Sequence, residues 1–427
     1  MTPANTSLRK GWCPGALRPM ETGDGLLVRI RPRAGAINLS GLDVVAQTAA
    51  ECGSGEIDLT SRANLQLRGL NSETYAGAID RLAGAGLLDA SAEAEAIRNV
   101  MVDPLCDFST GSIGIRQLAL QLEDRLVSAP HFYALPGKFG FSFSGTAHPL
   151  RAQTSADIAV SALESSHCAL WLDGDKTHVA KIAATEAVAA IERLAAVFLR
   201  LRWSDDSIRR MRDAVARHGS ETIFDEAGLQ STPAPDLSEP PENHLRPGDL
   251  GPAATPFAVG IGLPYGRITA RDLQGLCKLA GEHGCIEARL SPLRTIVLQT
   301  SSAGSAEALL AFANQSGLIV SGRDPRLNMD VCPGAPACRN ATTHTRDDAR
   351  ALSAALTAST TAPPSVHISG CEKGCARSSA AALTFVARQG KYDLVLNGTA
   401  IGRATESGLA PEAIAAAALN QIAEAAP

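Results

Sequence analysis

The chain has 427 residues, enough for two or three domains with large cores, and its 45% hydrophobic and 19% charged residues are ordinary for a soluble protein. Its formal net charge of −5 gives no reason to expect nucleic acid or a membrane surface as a partner. The sequence shows neither an apolar signal segment at its start nor a run long enough to span a bilayer, so we expect a cytoplasmic protein.

A segment near the start recurs in the second half of the chain. Residues 28–67 align with residues 259–298 without a gap, and 11 of the 40 positions are identical. Between the two copies, residues 231–256 are rich in proline and poor in large apolar residues, which is typical of an extended linker. The sequence therefore predicts an internal duplication.

Each copy has the pattern strand, helix, strand, strand. In the first copy these are a strand at 26–31, a helix capped by Asn38 and ended by Gly53, and strands at 56–60 and 64–70. The second copy repeats the pattern, with Thr269 as the cap and Gly284 as the stop, and a helical segment follows each copy at 73–88 and 306–316. We expect two α+β modules, neither with a complete sheet of its own, that pair into one layer.

The two copies differ on one strand face. Period-two geometry places four polar side chains of the first copy on one face, namely Arg62, Asn64, Gln66 and Arg68. The matching residues of the second copy are Leu293, Thr295, Val297 and Gln299. Because arginine binds carboxylates in bidentate fashion, the first face suits an anionic ligand, and a solvated outer face is the alternative.

Four cysteines near the C-terminus indicate a metal site. Cys332 and Cys338 are separated by five residues, and Cys371 and Cys375 by three, with glycine or proline in the turns of each pair. Thiolates bind iron-sulfur clusters and zinc, but paired zinc ligands usually lie two to four residues apart. The spacing favours a 4Fe-4S cluster, and zinc or buried unligated thiols remain as alternatives. The other six cysteines are scattered, as reduced thiols would be.

These features together resemble the sirohaem-dependent nitrite and sulfite reductases over nearly the whole chain. The resemblance is carried by the duplicated module, the string Thr-Ser-Arg-Ala-Asn-Leu-Gln-Leu-Arg at 60–68, Arg98-Asn-Val, Leu135-Pro-Gly-Lys-Phe, and the two cysteine pairs. Within that superfamily the chain resembles the precorrin-3B synthase family in three further strings. They are Cys-Pro-Gly-Ala-Leu-Arg-Pro-Met at 13–20, Gly-Asp-Gly-Leu-Leu-Val-Arg at 23–29, and His-Ile-Ser-Gly-Cys-Glu-Lys-Gly-Cys-Ala at 367–376.

Two departures separate the chain from the reductases that it resembles. Lys373 stands where the reductases have asparagine, and Gly140 stands where they have a second catalytic lysine. Reduction of nitrite or sulfite develops negative charge that preorganised cations stabilise. The departures therefore favour a chain that keeps the macrocycle scaffold and has lost the small-anion chemistry.

The resemblance implies an α+β fold with two pseudo-symmetric halves, each a ferredoxin-like half-repeat followed by an α/β domain. The implied domains are a first half-repeat at 1–90, a first α/β domain at 91–230, the linker at 231–256, a second half-repeat at 257–320, and an iron-sulfur cluster domain at 321–427.

The resemblance also implies a monooxygenase of aerobic cobalamin biosynthesis. It would hydroxylate precorrin-3A at C20 and close a γ-lactone to give precorrin-3B, using dioxygen, a 4Fe-4S cluster and a mononuclear non-haem iron. Electrons would come from NADH, directly or through a separate reductase. The sequence has no G-x-G-x-x-G fingerprint between a strand and a helix, which favours the separate reductase.

Carried over by position, Cys332, Cys338, Cys371 and Cys375 would ligate the cluster, and Cys375 matches the cysteine that bridges to sirohaem iron in the reductases. Arg62, Arg98 and Lys138 would face the tetrapyrrole carboxylates, with Asn64, Gln66 and Arg68 as supporting contacts. The ligands of the second iron stay unassigned, because none of His131, His148, His344 and His367 belongs to a close pattern of two histidines and a carboxylate.

Two other functions remain open at this point. One is a nitrite or sulfite reductase, which would contain sirohaem. The other is a non-catalytic iron-sulfur module that transfers electrons or senses oxygen, for which the arginine-lined strand would have no use.

Overall fold

The computed structural model describes residues 13–107, 114–148, 150, 156–163, 166–236, 247–250, 257–357 and 364–424. No helix in these ranges has both the length and the apolar character that a membrane crossing requires.

The first module contains five strands and two helices. They are β1 (Met20–Thr22), β2 (Gly25–Ile30), β3 (Ala36–Asn38), α1 (Leu39–Cys52), β4 (Glu56–Leu59), β5 (Leu65–Leu70) and α2 (Thr74–Gly84). Asn38 caps α1 as predicted, its side chain accepting a hydrogen bond from the backbone N–H of Gly41 at 2.7 Å, and Gly53 follows the last turn. The third predicted strand starts later than expected, at Leu65, so Arg62 and Asn64 lie in the turn before it.

A first α/β domain follows. Its elements are α3 (Ala92–Ile97), β6 (Val100–Val102), α4 (Ile115–Ser128), β7 (Phe141–Ser144), β8 (Ile158–Ala162), β9 (His167–Leu172), β10 (His178–Ala183), α5 (Ala187–Ser204), α6 (Met211–His218), α7 (Ser220–Glu226) and β11 (Ser231–Pro233). The six strands form one sheet in the order β11-β10-β9-β8-β7-β6, with β6, β7 and β8 parallel.

The second module repeats the first. Its elements are β12 (Gly248–Asp249), β13 (Phe257–Gly262), β14 (Arg267–Thr269), α8 (Ala270–Glu282), β15 (Glu287–Ser291), β16 (Thr295–Thr300) and α9 (Ala303–Gln315). The Thr269 hydroxyl accepts a hydrogen bond from the N–H of Asp272 at 3.1 Å, which is the predicted cap.

The last domain is a second α/β unit. It consists of β17 (Met329–Val331), α10 (Thr345–Thr357), β18 (Val366–Ser369), β19 (Ala381–Arg388), β20 (Lys391–Gly398), β21 (Glu406–Leu409) and α11 (Ile414–Glu424). Its sheet has the order β17-β18-β19-β20-β21, and β17, β18 and β19 are parallel, as are the corresponding strands of the first α/β domain. The pseudo-symmetry therefore extends from the modules to the domains that follow them.

The two modules complete each other's sheets by exchanging a strand. β14 of the second module pairs with β4, and β3 of the first module pairs with β15. One apolar core contains residues of both modules, with Val45 and Ala46 of α1 and Leu273 and Leu276 of α8 buried within it. The expectation of two incomplete modules in one layer is thus met by a reciprocal exchange.

Two stretches of the predicted linker lie in strands. Ser231–Pro233 pairs with β10, and Gly248–Asp249 pairs with β13. Proline at the end of an edge strand is tolerated because its missing N–H faces no partner strand, which is why the proline-rich composition hid these strands. The rest of the predicted linker lies largely outside the described residues, at 237–246 and 251–256.

Candidate functional site

The four cysteines meet at one edge of the last sheet. Cys332 follows β17 directly, and Cys371 lies two residues beyond β18. Because β17 and β18 are parallel neighbours, their carboxyl ends lie side by side and bring the two cysteine pairs together. The N–H of Gly370 donates to the Cys332 Sγ at 3.1 Å, so the second loop already contacts the first cysteine.

The thiols are close enough to influence one another's ionisation. Burial raises the pKa of the Cys371 thiol, and Cys338 and Cys332 raise it further. Burial also raises the pKa of Cys375, against the opposing charge of Lys373, and the other three cysteines of the set add to the rise. A bound cation would stabilise the ionised form of these thiols.

The four thiols form a soft donor set of the kind that binds iron-sulfur clusters. In the described part of the chain, no three His, Cys, Asp or Glu side chains stand close enough together to hold one metal ion. A single zinc ion requires four ligands within about 2.3 Å of one centre, whereas a four-iron cluster binds each thiolate to a different iron and spaces them more widely. The soft thiolate set and its spacing suit the cluster.

Glycines allow the cysteine loops to pack closely. Gly374 has φ +61°, and a Cβ at this position would lie 2.9 Å from the Cβ of Ala400. A Cβ on Gly370 would lie 2.6 Å from the Cβ of Ala341, in the loop that follows Cys338. Both positions therefore require glycine.

His367 lies on β18 beneath the second cysteine pair. The residue is fully buried, and neither ring nitrogen has a hydrogen-bond partner among the described residues. Burial lowers the pKa of its imidazole to about 4, so the ring is neutral at physiological pH. The three other histidines considered from the sequence, His131, His148 and His344, are exposed or half-buried elsewhere.

An arginine that the sequence analysis missed lies opposite the predicted polar strand. β2 pairs with β5 so that Arg29 faces Gln66, whose Oε1 accepts hydrogen bonds from the Arg29 Nη2 at 2.8 Å and Nε at 3.3 Å. Two features of the sequence could have marked Arg29 as a site residue. It ends one of the strings that carried the resemblance, and the second copy of the module has Gly260 at the matching position.

Arg29 and Arg62 are cations without acidic partners. Arg62 donates from Nη2 to the backbone carbonyl of Lys138 at 3.1 Å, and no carboxylate of the described ranges lies within ion-pair distance of either arginine. Burial lowers the pKa of both guanidiniums. Both side chains are half-buried and neither forms an ion pair within the described ranges, so these two guanidiniums are candidates for binding an anion.

Cys13 lies beside Arg29 and Arg62. Its thiol is in hydrogen-bonding contact with Arg29 and close to Arg62. The backbone after it is held firmly: Glu95 accepts from the N–H groups of Ala16 and Leu17, and Tyr75 donates to the carbonyl of Ala16 at 2.8 Å. The N-terminal string is therefore part of the wall of this site.

Two of the predicted ligand-facing arginines have internal partners instead. Arg98 is 5% exposed, and it binds Asp89 through Nε at 2.6 Å and Nη2 at 2.9 Å and Glu123 through Nη1 at 3.3 Å. Arg68 is 3% exposed and binds both carboxylate oxygens of Asp24 at 2.9 Å. The ligand-facing role of Arg98 and the supporting role of Arg68 stay predictions, and in the structure the guanidinium donors of both residues bind internal carboxylates.

Arg68 joins the polar strand to the cysteine loop. Its Nη2 donates to the carbonyl of Ala337 at 2.9 Å, the residue before Cys338, and the N–H of Gly23 donates to the same carbonyl at 3.0 Å. At its other end the strand reaches Lys138 through Arg62. From Arg62 to Arg68 the chain spans at most about 20 Å, and Arg68 at the end of this stretch contacts the residue before Cys338.

The other residues predicted for the site lie near Arg29 and Arg62. Gln66 orients Arg29, Asn64 is buried in the turn before β5, and Lys138 is exposed with its carbonyl held by Arg62. Gly140, at the position of the second reductase lysine, donates its N–H to the buried Asp157 at 2.9 Å. Asp157 is in turn held by Arg210, so the protein fixes this segment without a lysine.

Comparison with known proteins identifies the fold. A model of the nitrite/sulfite reductase ferredoxin-like half domain matches residues 18–85 and 252–315, the two modules. The solved structure of the Mycobacterium tuberculosis NirA protein superposes with a TM-score of 0.72 and 20% sequence identity, covering 92% of this chain and 79% of that chain. The chain therefore has the nitrite/sulfite reductase fold, built from two ferredoxin-like half domains, as the sequence predicted.

Within this class the resemblance to precorrin-3B synthase is confirmed. The precorrin-3B synthase of Sinorhizobium sp is 29% identical over 401 residues, which cover 93% of this chain and 84% of that protein. The ferredoxin–nitrite reductase of Synechococcus elongatus is 25% identical over 421 residues, covering 89% of this chain and 80% of that protein.

Proposed function

We propose that the chain is a monooxygenase of aerobic cobalamin biosynthesis that converts precorrin-3A to precorrin-3B by C20 hydroxylation and γ-lactone formation. The observation that carries the proposal is the pair of half-buried guanidiniums of Arg29 and Arg62, which form no ion pair within the described ranges and lie beside the strand whose Arg68 contacts the loop of Cys338. Precorrin-3A bears many carboxylates, which are the groups that arginine binds best. The likeness to a precorrin-3B synthase supports the same assignment.

The residues of the site would divide the work of binding the macrocycle. Arg29 and Arg62 would bind carboxylates, Gln66 would hold Arg29 in place, and the exposed amine of Lys138 would add a contact at the far end. Arg68 would act indirectly, because its bond to Ala337 holds the cysteine loop against the strand. The substrate would be oriented by charges that are fixed before it arrives.

Cys332, Cys338, Cys371 and Cys375 would hold the 4Fe-4S cluster, which would supply single electrons to the site. Dioxygen chemistry would need the second, mononuclear iron. The described residues form no set of three ligands for it, so no step is assigned to that iron. The electron donor would be NADH acting through a separate reductase, because the sequence has no nicotinamide fingerprint.

The direct test is anaerobic purification, followed by iron and sulfide analysis and absorption spectroscopy. Precorrin-3A, dioxygen and a reductant are then added, and the molecular mass of the product is measured by mass spectrometry. We expect more than four irons per chain, no tetrapyrrole band in the isolated protein, and a product that has gained one oxygen atom. Bound sirohaem with nitrite or sulfite reduction and no such product would move the assignment to the reductases.

A binding experiment tests the arginine site without requiring turnover. Arg29→Gln and Arg62→Gln each remove a charge-assisted contact worth about 1.5–3 kcal/mol, so the dissociation constant of precorrin-3A should rise roughly 10- to 150-fold. Arg125→Gln, which removes an exposed guanidinium paired with Glu192, is the matched control and should leave binding unchanged. Unchanged binding in both site variants would show that the macrocycle lies elsewhere.

A further inference from the structure

His367 is a buried polar group for which the proposed function has no use. It lies in the middle of β18, where it is paired in register with Asp330 of β17 and Thr384 of β19. Its exposed fraction is 0%, yet both imidazole nitrogens lack a hydrogen-bond partner among the described residues. Leaving a buried donor unsatisfied costs about 1–3 kcal/mol, so this ring needs a partner.

The neighbouring polar side chains are already occupied. Asp330 accepts from Arg294 at 2.7 Å and from Arg377 at 3.0 Å. The Thr384 hydroxyl donates to the carbonyl of Gly398 at 2.8 Å. The positive charges of Arg294 and Arg377, together with burial, also keep the imidazole neutral. A neutral imidazole carries one N–H, which is the donor that lacks an acceptor.

The imidazole lies on the face of the sheet that adjoins the cysteine loop. Val366 and Ile368 belong to the apolar core on one face of β18, so His367 and Ser369 lie on the other. The Ser369 hydroxyl donates to the carbonyl of Cys371 at 2.7 Å, which shows that this face meets the loop.

The edge of the ring that bears the nitrogens faces the same loop. The His367 Cε1 lies 3.6 Å from the position that a Cβ on Gly374 would take. Because Cε1 is bonded to both ring nitrogens, the N–H lies beside the segment between Cys371 and Cys375. Glycine at 374 leaves the space between the ring and the loop open.

We propose that His367 is a positioning residue that donates an N–H hydrogen bond to a sulfur of the cluster site, either the Cys375 thiolate or a cluster sulfide. The inference rests on the proposed cluster and goes beyond it by naming a residue that sets the cluster's reduction potential. A reduced cluster carries one more negative charge on its irons and sulfurs, so a donor to sulfur stabilises the reduced form and raises the potential.

The test compares variants of the cluster-loaded protein. His367→Phe keeps a ring of similar size and removes the donor, and His367→Leu does the same with a smaller side chain. His367→Gln keeps an N–H and is the matched control. The midpoint potential is measured by a redox titration followed by electron paramagnetic resonance, after iron and sulfide analysis has shown equal loading.

We expect a more negative potential in both apolar variants and a potential near that of the wild type in His367→Gln. Cluster vibrations in resonance Raman spectra should shift in D₂O for the wild type and not for His367→Phe. Metal-free His367→Phe should be at least as stable as the metal-free wild type, because an unsatisfied polar group has been replaced by an apolar one.

The outcomes separate the inference from the function on which it rests. Unchanged potentials in the apolar variants would overturn the role of His367 while leaving the cluster in place. Loss of one iron from His367→Gln without a change in potential would also overturn it and make His367 an iron ligand. A wild-type protein that assembles no four-iron cluster would contradict the proposed function itself.

Discussion

The arginines of the first half of the chain differ in what their guanidiniums touch, and on this difference we propose binding for Arg29 and Arg62 and structural support for Arg68 and Arg98. Arg29 and Arg62 contact an amide oxygen and a backbone carbonyl, whereas Arg68 and Arg98 contact carboxylates. Sequence alone treated Arg62, Arg68 and Arg98 alike because a side chain's type does not reveal its partner. A guanidinium that is not paired with a carboxylate of the protein is better able to bind an external anion.

The structural role of Arg98 can be tested by removing its charge. In Arg98→Met the buried Glu123, 1% exposed, would keep only Arg33 as a charged partner, so the free energy of unfolding should fall by about 3–5 kcal/mol. Arg125→Met, which breaks an exposed pair, should lose less than about 1 kcal/mol. Denaturant midpoints measure both changes. A variant of full stability that no longer binds precorrin-3A would instead place Arg98 at the ligand.

At the scale of the element, the ends of β17 and β18 determine the cysteine site. Parallel pairing places Val331 beside Ile368, so β17 and β18 end at the same edge of the sheet. The loops that follow these two strands carry the cysteines. Glycines then let the loops approach each other more closely than side chains would allow. The loop geometry is thus as necessary to the site as the thiols.

Gly374→Ala tests that geometry. The added Cβ would meet Ala400 at 2.9 Å, and alanine would have to adopt a φ of +61°, so the Cys371–Cys375 loop should shift and the chain should lose most of its cluster iron. Gly408→Ala is the control, because its φ is +76° but no heavy atom lies within 4 Å of the added Cβ. Iron and sulfide analysis of the purified variants gives the result. Full loading of Gly374→Ala would mean that the loop can relax without harm to the site.

At the scale of the whole molecule, the exchanged strands make the two halves depend on each other. β3 completes the sheet of the second module and β14 completes that of the first, and one apolar core belongs to both. Alone, neither half could pair the backbone N–H and C=O groups of its edge strand or bury the apolar face of its helix. We therefore regard the duplicated pair as one folding unit.

Separate expression of the halves tests this dependence. Residues 1–236 and 247–427, each produced alone, should be insoluble or lack cooperative unfolding, and their co-expression should restore a soluble complex that binds iron. Far-ultraviolet circular dichroism and thermal melts compare the three samples. A half that unfolds cooperatively by itself would show that the exchanged strand is dispensable.

Asp58 ties the halves together and makes the junction sensitive to acid. Burial opposes its ionisation, but Arg346 and Arg267 lower the pKa of this carboxyl below its ordinary value, through contacts of 3.2 Å and 2.6 Å. A lowered folded-state pKa contributes stability above the ordinary value of 3.8, and this stability is lost as the pH falls through the folded pKa.

Asp58→Asn should therefore be less stable than the wild type at pH 7, and the difference should shrink as the pH falls below about 3.8. Unfolding midpoints of the two metal-free proteins across this range measure the effect. Asp124→Asn, in which an exposed carboxylate is removed, should follow the wild type closely. A stability difference that stays constant with pH would mean that the contribution of Asp58 is not electrostatic.

Local sequence determined much of this protein. Helix caps at Asn38 and Thr269 depend on short-range chemistry, and the fold class was implied by the family resemblance that the duplication and the two cysteine pairs carry. The start of β5 was placed too early, because alternation of polar residues continues through the turn at Arg62 and Asn64. The strand exchange lay beyond sequence analysis, since Arg267 pairs with Asp58 and Ala288 with Ile37, residues that lie in opposite halves of the chain.

Only the tertiary structure decided which polar residues form the site. Antiparallel register brought Arg29 to Gln66, internal carboxylates took Arg68 and Arg98, and burial left His367 without a partner beneath the cysteine loop. The physical reason is that charge compensation and desolvation depend on neighbours brought close by folding, whereas a sequence pattern records only neighbours along the chain.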